Sequence, residues 1–345
     1  MQAYRFPLRL KIQLLATCLI LSNAAQAEWS AGGDFSTYFT DDVGLFSVTR
    51  RLSLEEDPTQ PIVDEPDQGS DAVYEPNAYI NWDIENTLGE FQVSLDGGGY
   101  IFQNHSDFTH GFMQVAIAQE FTSGTTVKLL YDYIPNLFLD KKSLPQIEPV
   151  PIGSLTEEHD EPEADERLDN HILTMLLEQE INDQFMLRGL VRYGARLYDQ
   201  PFSYRDTQFF TIGPHLEWTI NPNVELLVGY HFERGYTDPS QTVQYQDDIG
   251  YINHFASAEL KIHILPELIL MAIFDYEHND FTSPYEDDIH HNGNENVFQG
   301  ELELVYEVTE AAALKVGWQH GNRKFSYEPE SVRNNNAWIG AEYHF

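Results

Sequence analysis

The chain has 345 residues, with 56 acidic against 19 basic side chains and a formal net charge of −37. Phosphate backbones would be repelled rather than neutralised, so nucleic-acid binding is excluded as a function class. Past the first 27 residues no run approaches the roughly 18 apolar residues of a membrane-crossing helix, although 42% of the residues are hydrophobic and aromatics are abundant, with 21 Phe, 19 Tyr and 5 Trp.

Residues 1–27 read as a cleavable secretory signal peptide. Arg5, Arg9 and Lys11 form a basic start, Leu14 to Leu21 an apolar stretch, and Ala25-Gln26-Ala27 a small-x-small cleavage site, so the mature chain is expected to begin at Glu28. The apolar stretch is too short for a membrane anchor. Cys18 is the sole cysteine, and Thr17 before it fits a lipoprotein box poorly; cleavage after Ala27 removes the thiol, and with it disulfides, cysteine catalysis and thiolate metal sites. Without the three signal cations, 16 basic residues face 56 acidic ones, formally −40.

The rest reads as strands of about ten residues in hairpin rhythm. Strand one is expected near Trp29–Phe39, followed by an external acidic loop at about 41–75. Strands two, three and four fall at Asn77–Ile84, Phe91–Phe102 and Phe112–Phe121. Gly97-Gly98-Gly99 inside strand three marks a bulge, a bend or the close approach of an inward loop. Strand five carries Val127, Leu129, Tyr131 and Tyr133 on one face and is expected to stop at Pro135, which cannot donate to a ladder. A second external acidic loop is expected at about 139–168. Strands six to thirteen follow at His171–Ile181, Phe185–Tyr198, Gln208–Ile220, Val224–Tyr236, Tyr251–Ile264, Leu268–Glu277, Val297–Val308 and Ala313–Phe325.

Strand fourteen ends the chain as Ala337-Trp338-Ile339-Gly340-Ala341-Glu342-Tyr343-His344-Phe345. Ile339, Ala341, Tyr343 and Phe345 share one face, and Trp338, Gly340, Glu342 and His344 the other. With the export signal, this closing run resembles that of bacterial outer-membrane β-barrels, whose last strand typically finishes in phenylalanine. The fold expected is therefore all-β: a transmembrane up-and-down antiparallel β-barrel of about 14 strands, in the outer membrane of a Gram-negative cell. The alternative is a soluble periplasmic sandwich. The resemblance implies lipid and lipopolysaccharide around the barrel, and the barrel-assembly machinery as a partner through the C-terminal strand.

In such a barrel one residue in two must face lipid, and an arginine near the midplane costs about 2–4 kcal/mol there. On strand seven Arg188, Arg192 and Arg196 share a face, so that face is expected to line the lumen. The same test turns Glu217, Glu225, Glu233, Glu301 and Glu303 inward. A lumen of both charge signs predicts water and the passage of small hydrophilic solutes, with these residues tuning selectivity. Alternatively the arginines pair with Glu178, Glu180, Glu217 or Glu225 and brace the wall.

The acidic loops are expected to favour cations, and they offer oxygen ligands for divalent cations, although Glu286-Asp287-Asp288 with His290, His291, Asn292, Asn294 and Glu295 lacks calcium-loop spacing. No metal site and no cofactor are expected. No enzymatic activity is expected either: His105-Ser106-Asp107 holds the one adjacent His-Ser pair, and neighbours on a strand point apart. The leading function is an outer-membrane channel for small hydrophilic solutes. The alternatives are a hydrophobic-substrate transporter with an inward-folded loop, its hatch at Pro-rich residues 139–156, and a surface structural or adhesion barrel.

Overall fold

The computed structural model describes residues 27–49, 54, 61, 69–143, 163–238 and 246–345. Its strands are β1 Ala27–Thr40, β2 Asp71–Asn86, β3 Gly89–Phe102, β4 His110–Phe121, β5 Thr125–Ser143, β6 Glu163–Asn182, β7 Phe185–Tyr198, β8 Thr207–Asn221, β9 Val224–Thr237, β10 Tyr251–Leu265, β11 Leu268–Phe281, β12 Asn294–Thr309, β13 Ala312–Phe325 and β14 Val332–His344. Each pairs antiparallel with its sequence neighbours, and β1 pairs with β14. The sheet is thus a closed barrel of fourteen strands, which rules out the sandwich. The expected signal lies outside the described residues except for Ala27, which pairs with Ile84.

Alternation explains why these segments form strands of one closed sheet. On β6, Leu173, Met175 and Leu177 stand exposed on the outer wall while Ile172, Thr174 and Glu178 are buried inside. On β7, Leu187, Val191, Tyr193 and Leu197 are outside, and Leu190, Arg192, Arg196 and Tyr198 inside. Lipid accepts such a wall because closure leaves no strand edge unbonded. Aromatic pairs mark the end with the tight turns: Trp29 stacks on Trp82 at 5.6 Å and Phe185 on Trp218 at 5.8 Å. Interfacial rings of this kind anchor barrels in the bilayer.

Three expectations need correction. Pro135 does not end β5, which continues to Ser143; the ladder shifts register between Ile134 and Leu137, and Asn136 takes a positive φ of 52°. A bulge absorbs the missing donor. Next, β6 begins at Glu163, so the second insertion is shorter than 139–168; residues 144–162, with most of the expected hatch, lie outside the described residues. Third, the described part of the loop expected outside at 41–75 turns into the barrel. Helix α1 (Val43–Thr49) follows β1 directly, with Val43, Leu45 and Phe46 buried, and Leu54 is 1% exposed. Apolar side chains among the acids find cover only inside. At Gly98 a side chain would collide with Asn77 and the Pro76 carbonyl of β2, so the glycine serves a close approach.

Asp42 starts the inward turn. Its carboxylate accepts from the Leu45 amide at 3.1 Å, an N-cap that satisfies one free donor of α1. Asp41 ties the same corner to β14, accepting from the Asn335 amide at 2.6 Å and its side-chain Nδ2 at 2.7 Å.

Candidate functional site: the charged lumen

All three ladder arginines face the lumen, and each has an identified partner. Arg188 lies 3.2 Å from Glu178 on β6 and 2.6 Å from Glu217 on β8. Glu178 also meets Lys128 of β5 at 3.1 Å. Arg192 donates to Thr174 Oγ1 at 3.2 Å. Arg196, 1% exposed, donates to the Tyr251 hydroxyl at 2.9 Å and lies 4.3 Å over the Phe209 ring. Tyr251 in turn donates to Glu233 at 2.6 Å, and Thr211 donates to the other oxygen of Glu233. A chain of charge-assisted bonds thus runs from β7 to β10 across the lumen side of the wall. Of the bracing partners considered from sequence, Glu178 and Glu217 serve Arg188, whereas Glu225 meets Lys261 at 3.5 Å.

The wall from β10 to β12 is acidic. Glu277 accepts from Asn253 at 2.7 Å and from Asn279 at 2.8 Å, and Asn279 donates to Glu295 at 3.0 Å. Arg323 on β13 pairs with Glu295. Lower down, Glu301 accepts from Gln319 at 2.9 Å and Glu303 from the Trp338 indole at 2.7 Å. Basic and acidic arcs therefore share one lumen, with a buried histidine pair on β8 and β9: His215 and His231 approach to 2.6 Å between Nε2 atoms. Their contact follows from pairing register, which a single strand does not reveal.

The inward segment narrows this lumen. Leu54 packs with Phe255, Val297 and Leu227, and a side chain on Gly229 would run into it. Phe46 joins an aromatic cluster with Tyr38, Tyr100 and Phe102, and Leu45 joins one containing Tyr198, Phe209 and Tyr251. At the tight-turn end the lumen opens into a polar recess of about 520 Å³ lined by residues including Glu180, Glu217 and Thr219.

At the opposite rim, loops converge that are far apart in sequence. Arg205 bridges Glu166 at 3.0 Å and Asp247 at 2.8 Å. Asp288 accepts from His290 at 2.9 Å and from the Asp248 amide at 2.9 Å. Asp247, Asp288 and His290 place ligand atoms within 4.8 Å of one another. Arg205 already neutralises Asp247, which disfavours a cation there. Burial alone would raise the Asp247 carboxyl, but Arg205 and His290 outweigh it and hold it down at about 2. Asp288 is likewise lowered: burial raises it, and bonds from His290 and Ser283 overcome that.

A depressed carboxyl stabilises the fold above its unfolded value, near 3.8, and that contribution is lost as pH falls toward 2. For Asp247 it amounts to roughly 2 kcal/mol. The rim should therefore stay protease-resistant at pH 5 and open between about pH 4 and pH 2, while the barrel strands stay protected. Hydrogen exchange of residues 199–206 and 246–250 against pH checks this; a rim already open at pH 5 contradicts it. Arg205→Ala should move the opening to higher pH.

His105 Nδ1 lies 3.2 Å from Asp71, and Ser106 begins a short 3-10 turn rather than continuing a strand.

The sequence matches no protein-family model and no curated protein. Among solved structures the barrel is similar to the outer membrane channel DcaP of Acinetobacter baumannii, at 11% identity and a TM-score of 0.52, covering 93% of this chain and 98% of that one. The chain has the fold of an outer-membrane β-barrel. It is also similar to a loop L8 deletion mutant of OmpT, an outer membrane protein of Vibrio cholerae, at 11% identity and a TM-score of 0.50, covering 92% of this chain and 99% of that one. At such identity the likeness is one of fold, and a closed barrel with an apolar outer wall fits the outer membrane.

Proposed function

We propose that the protein is an outer-membrane channel, not an enzyme, that passes small hydrophilic solutes through its charged lumen. The observation carrying this reading is the two-signed polar lining: Arg188 and Lys128 on one arc, Glu301 and Glu303 on another, all inside a closed barrel. A polar interior costs nothing where water fills it and is hard to explain otherwise. The name of DcaP as a channel supports the reading at the level of fold. The acidic arc and acidic outer loops favour cations, tempered by the arginines. Planar-bilayer reversal potentials under a salt gradient test this; strong anion selectivity contradicts it. Divalent cations at the outer loops belong to the same proposal, as do lipopolysaccharide and lipid around the wall.

One observation favours a second reading. The Leu54 contact with Phe255 and Val297 puts an apolar plug inside the lumen, as a hydrophobic-substrate transporter would need. Lipid or detergent trapped in the purified barrel, together with absent ion conductance, would decide for it.

The barrel-assembly machinery is the proposed partner of β14. Phe345 is 86% exposed, and its amide donates to the Ala31 carbonyl at 2.7 Å. Deleting Phe345 should reduce the heat-modifiable barrel in outer-membrane fractions well below wild type, while in-vitro refolding in detergent changes little. Undiminished assembly in cells contradicts that role.

A further inference from the structure

On the outer wall of β13 and β14 the end away from the tight turns is polar and cationic. The outward face of β13 runs from Leu314, Val316 and Trp318, each about half exposed, to His320, Asn322 and Lys324. On β14 the outward positions beyond Ile339 and Ala337 are Asn335 and Arg333. The register sets Arg333 directly opposite Asn322, with Lys324 one row further on, beside Asn296 of β12. Diagonal neighbours on one face of a sheet stand about 7–8 Å apart, so two long side chains there can meet one anion. His320 stacks on Trp318 at 6.1 Å between ring centres, and its Nδ1 lies 2.9 Å from Asn335 Oδ1. Lys324 donates to the Glu328 carbonyl, and neither Lys324 nor Arg333 forms an ion pair among the described residues. With 56 acidic side chains against 19 basic ones, cations that meet no carboxylate call for a physical reason. The tight-turn end is arranged the other way. Lys128, Arg188, Lys261 and Lys315 all turn inward to carboxylates, and the outer wall there carries Trp29, Trp82 and Trp218.

We propose that Lys324 and Arg333 form a site on the outer wall for a phosphate group of lipopolysaccharide in the surrounding leaflet. Each part of such a lipid meets matching chemistry. A guanidinium grips a phosphate through a two-bond fork, and an ammonium meets it as a point charge. The Asn322 amide, level with Arg333, offers a sugar hydroxyl both donors and an acceptor. Below them Trp318, Val316, Leu314 and Phe298 give acyl chains an apolar surface. Mere reach toward water would suit cations at either edge of the wall. Here the outward ones lie at the edge away from the tight turns, Arg234 of β9 among them, 4.8 Å over the Tyr236 ring. A free phosphate ion fits less well, because salt screens exposed charges over about 8 Å and the ion gains nothing from the apolar wall. The inference rests on the lipid contact proposed above and adds to it the residues and the chemical group that make it.

The test is native mass spectrometry of the refolded full chain in detergent. The probes are bisphosphorylated lipid A, its fully dephosphorylated form, phosphatidylethanolamine and inorganic phosphate. Saturable binding of the bisphosphorylated lipid is expected, about tenfold tighter than that of the dephosphorylated form, since charged hydrogen bonds are gained. Lys324→Ala with Arg333→Ala should weaken it about thirtyfold, because each cation near an anionic headgroup layer is worth roughly a fivefold factor. Lys324→Arg with Arg333→Lys should retain more of the binding than the alanine pair. Arg333→Glu alone serves where the alanine pair yields no heat-modifiable barrel. Equal binding of the two lipid A forms, phosphatidylethanolamine bound as tightly, unaltered binding by the alanine pair, or displacement of the lipid by inorganic phosphate overturns the site. The readout needs no current. A barrel that conducts without preferring the phosphorylated lipid sinks the site alone, and one that holds the lipid without conducting sinks the channel reading instead.

Discussion

Phe46→Asp should raise the single-channel conductance of the refolded barrel several-fold while leaving its heat-modifiability intact. Phe46 is 1% exposed and meets Tyr38 at 5.3 Å, Phe102 at 5.8 Å and Tyr100 at 5.9 Å between ring centres. Loss of a buried phenylalanine alone costs about 3–5 kcal/mol, and an unpaired carboxylate among aromatic rings adds to that. The penalty falls on the docking of the segment after β1, because the ladders that close the barrel do not pass through α1. Local undocking is the cheaper response, as expected for a segment held by few contacts. Once undocked, α1 and Leu54 no longer fill the lumen beside Phe255. Conductance equal to wild type would mean that this segment does not restrict the path. A barrel that fails to refold would place Phe46 in the folding core instead, and Leu54→Ala, which removes a smaller contact on the opposite wall, then carries the test.

The second large effect is expected from replacing Arg188, Arg192 and Arg196 together with Ala. The reversal potential in a salt gradient should move toward stronger cation preference, and the thermal unfolding temperature should fall. Arg188 offsets Glu178 and Glu217, and Arg196 supports the Tyr251–Glu233 link. Removing one member of a buried ion pair costs about 3–5 kcal/mol because the partner charge remains. Arg188 is partly hydrated, with 18% of its side chain exposed, so its share is smaller. The two readouts separate the roles of the ladder. A lower unfolding temperature with an unchanged reversal potential would make the arginines braces only. A shifted reversal potential shows that permeating ions sense them.

The barrel was legible because its signal has a period of two and recurs. The ends of β7 were read to the residue: Asn182-Asp183-Gln184 turns the chain on one side, and Asp199-Gln200-Pro201 ends the strand on the other. Inward placement of Arg188, Arg192 and Arg196 followed from the cost of charge in lipid, which leaves no choice of face. The start of β6 was hidden because Glu163 to Asp169 is acidic and reads as a solvated loop. The structure gives Glu166 two distant partners, Lys142 at 3.1 Å and Arg205 at 3.0 Å. The inward turn after β1 was hidden for a similar reason. Val43 to Phe46 is a short apolar run inside an acidic stretch and Leu54 lies apart from it, and no local period says which side of the barrel they cover. Local periodicity reports the sorting of faces, whereas partners across the lumen depend on closure.

The most direct test of a water-filled path along the inward faces is stepwise modification of single cysteines during bilayer recording. Glu301→Cys and Leu302→Cys are neighbours on β12, the first facing the lumen and the second 48% exposed on the outer wall. A charged, membrane-impermeant thiol reagent should change the current through the Glu301→Cys barrel in discrete steps and leave the Leu302→Cys barrel unaffected. Currents insensitive to the reagent at both positions, or equally sensitive at both, would contradict the account.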